Sequence, residues 1–196
     1  RLYLSTQKEG LYFYITKRVA PPVEPQLPEV PVYDNSNLSF AAGTTKAKCT
    51  YCDKGVEWTA LEAVTDGPLT LEEGGHYYLA ADLTENKSYY NVKTACVHLN
   101  GHNIISNGRA IYPGGYLNIM GNGIVSGGRN DAKQGLVTWN TGTKTNVDIH
   151  LYGGTYAVAP GNEKGSALAI NNNGGELHVH EGVKVIGSAT APAIFV

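Results

Sequence analysis

From about Leu69 to the last residue, short apolar–polar–apolar stretches alternate with turns rich in Gly and Asn. Four segments share one order: an alternating stretch, a small or polar turn, and a second β-prone stretch. They begin at Val97, Leu117, Ile149 and Leu177. A third apolar piece follows in each unit, at 110–112, 135–139, 167–170 and 193–196. Each unit therefore predicts three short strands separated by turns.

Three strands repeated in the same order describe an all-β chain that winds into a parallel β-helix, right-handed by the crossover rule. The alternation predicts that eight side chains point inward: Val97, Leu99, Leu117, Ile119, Ile149, Leu151, Leu177 and Val179. Neighbouring coils would stack these side chains about 4.8 Å apart. An antiparallel sandwich is disfavoured, because a meander gives no reason for the same three-part unit to recur.

The remaining sequence divides into three parts before this solenoid, which is predicted over 76–196. Residues 1–19 contain an aromatic, β-branched run at 10–17 that predicts a strand of a preceding domain or tail. Residues 20–45 form a Pro-rich linker with five prolines between 20 and 32, typical of a polyproline II spacer. Residues 46–75 are predicted to be an irregular cap over the first coil. The missing initiator Met and the apolar run at 193–196 predict a piece of a longer polypeptide, truncated at the C-terminal end of the solenoid.

Composition narrows the class of protein. Fifteen Lys and Arg against seventeen Asp and Glu give a net charge of −2, so no basic surplus favours a nucleic-acid partner. No apolar run is long enough to predict membrane insertion. The 24 Gly and the excess of Tyr over Phe favour strands and tight turns and are typical of extracellular β proteins. We therefore expect a secreted or cell-surface protein.

Two groups of residues resemble a known superfamily. Tyr77-Tyr78-Leu79 followed by residues 96–104 resembles the first coils of pectin-lyase-like right-handed β-helix proteins. Residues 117–121 and 150–155 are similar to rungs in large repetitive surface proteins of Gram-positive gut-type bacteria. The resemblance spans residues 45–196 and implies the fold more than the function, because that superfamily contains lyases, glycosidases, adhesins and stalks.

Catalytic residues of the superfamily cannot be carried over to this chain. Its pectate lyases use an Asp cluster that holds calcium, and its polygalacturonases use paired carboxylates. The acidic residues of the predicted solenoid are scattered instead: Asp131, Asp148, Glu163, Glu176 and Glu181. No Asp-Asp pair occurs in the sequence, so no catalytic residue is assigned.

Cys49 and Cys52 form a CxxC knuckle with no second CxxC elsewhere. Three alternatives stay open: a disulfide, a structural zinc site completed by a His, or free thiols. We favour the disulfide. Cys96 begins an apolar strand and is expected to be buried as a small hydrophobic residue.

A row of polar residues is expected to face outward on successive first strands: His98, Asn118, His150 and His178, with His180 two residues further on. His150, His178 and His180 could bind a transition metal or respond to pH. A solvated polar ladder is the preferred interpretation, because no carboxylate or Cys is expected to complete the ligand set.

Aromatic residues at strand edges give a second candidate site. Tyr112, Trp139, Tyr152 and Tyr156 could form a strip that stacks on sugar rings, although packing inside the solenoid is the more economical interpretation. Trp58 is expected in the core of the cap.

These features predict a non-catalytic extracellular scaffold or adhesin segment of a repetitive bacterial surface protein. Expected partners are host or environmental glycans or a cell-surface protein, with self-association through the solenoid ends. The alternative is a fragment of a polysaccharide lyase or glycosidase whose catalytic coils lie outside this segment.

Overall fold

The computed structural model describes residues 2–7, 10–15, 34–52, 54–127, 136–138, 147–159, 167–170 and 175–195. The chain divides into two compact units, Arg1–Pro31 and Val32–Val196. All regular elements of the described residues are strands, so the predicted all-β class is confirmed. Among these residues no helix has the length and apolarity needed to cross a bilayer.

The first unit is a hairpin. Strands β1 (Leu2–Gln7) and β2 (Gly10–Ile15) pair antiparallel, with Leu2 opposite Ile15 and Gln7 opposite Gly10. The single strand predicted over 10–17 thus has a partner in the residues before it. The Pro-rich stretch from residue 20 to residue 33 lies outside the described residues.

The second unit contains seventeen strands among its described residues. In chain order they are β3 (Lys46–Cys49), β4 (Lys54–Glu57), β5 (Thr59–Ala60), β6 (Leu69–Thr70), β7 (Gly75–Tyr78), β8 (Leu83–Asn86), β9 (Tyr90–His98), β10 (Ile104–Ser106), β11 (Ile111–Met120), β12 (Ile124–Gly127), β13 (Leu136–Thr138), β14 (Asp148–Leu151), β15 (Thr155–Val158), β16 (Leu168–Ile170), β17 (Glu176–Val179), β18 (Lys184–Ile186) and β19 (Ile194–Phe195).

Two parallel sheets organise this unit. One has the order β18-β15-β12-β10-β8, and the other follows β19-β16-β13-β11-β9-β7-β5, with β6, β14 and β17 joined to it. After β7 the chain passes repeatedly between the two sheets, so strands distant in sequence pair side by side. The third apolar pieces pair in parallel as predicted, with Ile111, Leu136, Leu168 and Ile194 as successive partners.

The core lies beneath β7, β9, β11, β14 and β17, where two inner rows of side chains run across the strands. One row is Ala95, Leu117, Ile149 and Leu177. The other is Tyr77, Val97, Ile119, Leu151 and Val179. All of these side chains are buried except Leu177, which is half-buried, and Val179, which is exposed. The burial of each of the fully buried aliphatic side chains contributes about 1.5–3 kcal/mol to the free energy of folding.

The predicted register of the first repeat is wrong by two residues. Ala95, rather than Val97, lies beside Leu117, and Cys96, rather than His98, lies beside Asn118. An irregularity between Pro113 and Tyr116 places two residues of β11 against one of β9. A shift of two residues leaves the inward and outward pattern unchanged, because side chains alternate with a period of two. Alternation alone therefore does not detect it.

The cap predicted to be irregular over 46–75 contains four strands instead. β5 and β6 pair in parallel with β7 and β9, so parallel pairing starts before residue 76. β3 and β4 form an antiparallel hairpin. Cys49 of β3 and Trp58, just after β4, belong to an apolar cluster with Cys96, Met120 and Tyr152.

This apolar cluster lies on the outward side of β9 and β11. Trp58 is buried, which confirms its predicted place in the core. His98 and Asn118 are buried as well, so this part of the expected solvated ladder is wrong. The residues that would face water on an isolated sheet are covered here by the cap.

The segment from 34 to 40 has no regular structure but is bonded to the strands. The Asn35 side chain donates to the Tyr152 carbonyl (2.8 Å) and accepts from the Gly121 amide (2.7 Å). The Leu38 amide donates to the Asn100 side chain (2.5 Å). These bonds attach the end of the predicted linker to the sheet-containing unit.

Candidate metal sites

Two clusters of potential metal ligands, described below, each include residues from one outward-facing row of side chains. This outer row consists of His76, Cys96, Asn118, His150 and His178, which are successive register partners on β7, β9, β11, β14 and β17. Parallel pairing places partners on neighbouring strands about 4.8 Å apart. Residues from five separate parts of the sequence therefore become adjacent.

The first cluster, the cysteine cluster, consists of Cys49, Cys52, His76 and Cys96. Each residue offers one ligand atom, and the four atoms lie within 4.8 Å of one another. The Cys52 Sγ is 3.2 Å from the His76 Nε2. Cys49 ends β3 and Cys52 lies in the turn before β4, so the knuckle directs both thiols toward the outer row. These four residues could hold a metal ion.

Mutual contacts polarise the three thiols, which are all free. The hydrogen bond between Cys49 and Cys96 lowers the pKa of the Cys49 thiol and raises the pKa of the Cys96 thiol. Burial, followed by the neighbouring Cys49, raises the pKa of Cys52. Cys49 is therefore the thiol of the three that ionises most readily. Ionisation of a second or third thiol beside it requires a cation nearby to compensate the negative charge.

The surroundings fix the cluster and limit solvent access to it. The Trp58 ring meets the His76 ring edge-on, with centroids 5.3 Å apart. The Asn118 Nδ2 donates to the Cys96 Sγ at 3.4 Å. Cys49 and Cys96 are buried, while Cys52 and His76 are half-buried. Such outer contacts orient metal ligands and tune their basicity.

The second cluster, the histidine cluster, lies further along the outer row. The Asp148 Oδ1 is 3.2 Å from the His150 Nε2 and 3.4 Å from the His178 Nε2. The His150 and His178 rings stack at 4.3 Å and 8°. The His150 Nδ1 is 3.2 Å from the His180 Nε2. Asp148, His150 and His178 form a second group whose ligand atoms lie within 4.8 Å of one another.

Tyr51 connects the neighbourhoods of the two clusters. It lies between Cys49 and Cys52 in sequence, and its ring centroid is 6.2 Å from that of His150. Burial is the main cause that raises the pKa of the Tyr51 hydroxyl. The knuckle thus approaches both groups of ligands.

The structure brings the predicted metal residues together but gives the predicted aromatic residues other surroundings. The favoured Cys49–Cys52 disulfide is not formed. Tyr152 and Tyr156 are buried and present no ring face to a sugar. Tyr112 is half-buried, 5.1 Å below the Arg109 guanidinium. Trp139 lies outside the described residues, so glycan binding stays a prediction.

Sequence reasoning left three ligand-type residues out of these clusters. His76 and Cys96 were not joined to the knuckle, because only strand register makes them neighbours. Asp148 was counted among scattered acids, although its position two residues before His150 in an alternating strand puts both on one face. That spacing was the available signal for the histidine cluster.

Comparison of the sequence with protein-family models found no matching family, and comparisons with curated proteins and with solved structures found no match either. The resemblance to pectin-lyase-like proteins therefore stays a prediction.

Proposed function

We propose that this chain is a non-catalytic structural scaffold: a right-handed parallel β-helix whose first coils are fastened to the cap by a zinc ion in the cysteine cluster. One observation carries the proposal: four potential ligands from the knuckle, β7 and β9 converge within 4.8 Å. Successive parallel pairing in two sheets supports the solenoid. The handedness follows from the crossover rule.

Zinc suits the donor set. Structural zinc takes four ligands in a tetrahedron, and three Cys with one His is a standard combination. Zn–S bonds of about 2.3 Å put neighbouring sulfurs about 3.8 Å apart. The four ligand atoms are already within 4.8 Å, so small side-chain movements would complete the tetrahedron. A divalent cation would also neutralise thiolates that are otherwise costly to bury together.

The ligand count favours a structural role. Four protein ligands leave no position for water or substrate, which a catalytic zinc needs. Trp58 and Asn118 occupy the space beside His76 and Cys96. A metal here would tie the hairpin β3–β4 to two strands of the large sheet. The metal would thus join two sheets that strand pairing leaves separate among the described residues.

The proposal also covers the location of the protein and its binding partners. A stiff stack of coils suits a stalk or adhesin, and the composition favours a secreted or cell-surface location. Glycans or a cell-surface protein are the proposed partners. The scaffold would present its surface without transforming what it binds.

Metal analysis tests the structural part. The full chain, purified under reducing conditions, is expected to contain at least one zinc per chain by plasma mass spectrometry. Removal of the ion by a chelator should lower the melting temperature, and added Zn²⁺ should restore it. A chain that binds no zinc, or that melts identically with and without it, would refute the zinc clamp.

Activity and binding assays test the rest. Incubation of the full chain with a panel of polysaccharides should release neither unsaturated nor reducing-end products. A glycan array or binding to whole cells should detect the partner. Turnover of any polysaccharide would refute the non-catalytic assignment, while leaving the zinc result unaffected.

A further inference from the structure

We propose that the histidine cluster is a second, solvent-accessible site for a divalent transition-metal ion, with Asp148, His150 and His178 as its protein ligands. It shares no ligand with the cysteine cluster and does not rest on the scaffold proposal. Two imidazole nitrogens and one carboxylate oxygen are a donor set that transition metals accept.

Three ligand atoms converge on one point. The Asp148 Oδ1 lies within 3.4 Å of the Nε2 atoms of both His150 and His178. The two rings are nearly parallel, at 8°, and both Nε2 atoms face the same carboxylate oxygen, so each ring needs to turn about its side-chain bonds to share one ion. Register pairing of β14 with β17 places His150 beside His178 through the backbone, so the convergence is built into the sheet.

The carboxylate oxygen supplies an independent argument. The Asp148 Oδ1 is buried and accepts no hydrogen bond among the described residues, although two imidazoles approach it. A buried oxygen without a partner costs about 1–3 kcal/mol. A cation held by this oxygen and both Nε2 atoms would satisfy all three at once.

His180 completes the arrangement as a positioning residue. The His150 Nε2 faces Asp148, while its Nδ1 lies 3.2 Å from the His180 Nε2. A metal-bound His usually donates its other N–H to a neighbouring acceptor, which fixes its tautomer and ring orientation. The His180 ring also stacks on Tyr152 at 4.3 Å, which holds it in place.

The site differs from the cysteine cluster in its openness. His178 has 42% of its side chain exposed and Asp148 has 38%. Glu176 extends over the same side, with its Oε2 3.2 Å from the His178 Nε2. Three protein ligands leave coordination positions for water, Glu176 or a donor atom of another molecule. Zn²⁺, Ni²⁺, Co²⁺ and Cu²⁺ fit this chemistry better than Ca²⁺ or Mg²⁺.

Cobalt binding to the full chain tests this site. The chain is first given one equivalent of Zn²⁺, which the four ligands of the cysteine cluster should take before the three of the histidine cluster, and its zinc content is measured. Co²⁺ is then added while calorimetry records binding and absorption records thiolate-to-cobalt charge transfer. We expect one further ion to bind without charge-transfer bands, because imidazole and carboxylate ligands produce none.

Matched variants localise the ion. Asp148→Asn keeps the side-chain shape, and His178→Ala removes a half-exposed ring; each should weaken this Co²⁺ binding by at least about tenfold. His102→Ala is the control, because His102 is similarly exposed and lies 3.2 Å from a single carboxylate, Asp82. It should bind Co²⁺ like the wild type.

Two results would overturn the site. One is no Co²⁺ binding without charge transfer in the wild type. The other is equal affinity in all three variants. Failure of the cysteine cluster to retain zinc gives a different signature, because Co²⁺ then binds the free thiols with strong charge-transfer bands or the chain loses the added equivalent of zinc. The histidine cluster is judged in either case by the response of Asp148→Asn and His178→Ala.

Discussion

The Cys52 sulfur and the His76 Nε2 lie 3.2 Å apart although 24 residues separate them in the chain. Cys52 belongs to the turn between β3 and β4, and His76 lies on β7 of the large parallel sheet. Their approach joins an antiparallel hairpin to a parallel sheet through side chains. Its consequences for metal binding and stability can be measured.

Replacement of His76 tests whether it is a metal ligand. His76→Ala should leave three thiols and lower zinc affinity by at least about tenfold, with a lower melting temperature. His76→Cys should retain zinc, because four Cys also form a standard structural site. Zinc content and thermal melting of both variants are the measurements. If His76→Ala keeps its zinc as firmly as His76→Cys does, His76 is no ligand.

Truncation of an inner-row residue should destabilise the second unit, which contains the two parallel sheets. Ile149 is fully buried between Leu117 and Leu177, so Ile149→Ala should lower the free energy of unfolding by about 2–5 kcal/mol. Ile186 on β18 is 53% exposed, and Ile186→Ala should cost much less. Guanidinium denaturation measures both. Similar losses would contradict the assignment of Ile149 to the core.

Asn86 should be far more costly to replace than Asn91. Its side chain is fully buried, accepts from the Val64 amide at 2.8 Å and lies 3.2 Å from the Tyr90 hydroxyl. Asn86→Ala would leave the Val64 N–H unsatisfied and cost about 1–3 kcal/mol.

Asn91 provides the comparison for this variant. Among the described residues its side chain makes one hydrogen bond, an exposed 3.3 Å bond to Thr70, and Asn91→Ala should change the unfolding free energy by less than about 0.5 kcal/mol. Urea denaturation of both variants gives the difference. An Asn86→Ala protein as stable as Asn91→Ala would show that the buried network contributes nothing.

The irregularity in β11 should depend on Gly115. A Cβ on Gly115 would collide with the backbone carbonyl of Lys93, which cannot rotate away as a side chain would. Gly115→Ala should therefore cost about 1–3 kcal/mol. Gly108 has no atom within 4 Å of such a Cβ, so Gly108→Ala should be neutral or slightly stabilising. Thermal melting of the two variants checks this, and equal melting temperatures would argue against the close approach of β9 and β11.

The sequence by itself determined the all-β class, the parallel pairing of the third apolar pieces and the inward direction of residues such as Ile119 and Leu151. These follow from local alternation and from repeated order, both visible along the chain. Tertiary structure decided the register of the first repeat, because a shift by two residues preserves alternation, and it decided the burial of His98 and Asn118 beneath the cap. It also decided which residues lie beside Cys49 and Cys52. A thiol or an imidazole comes close to another potential ligand when strands pair side by side, and spacing along the sequence does not show which strands pair.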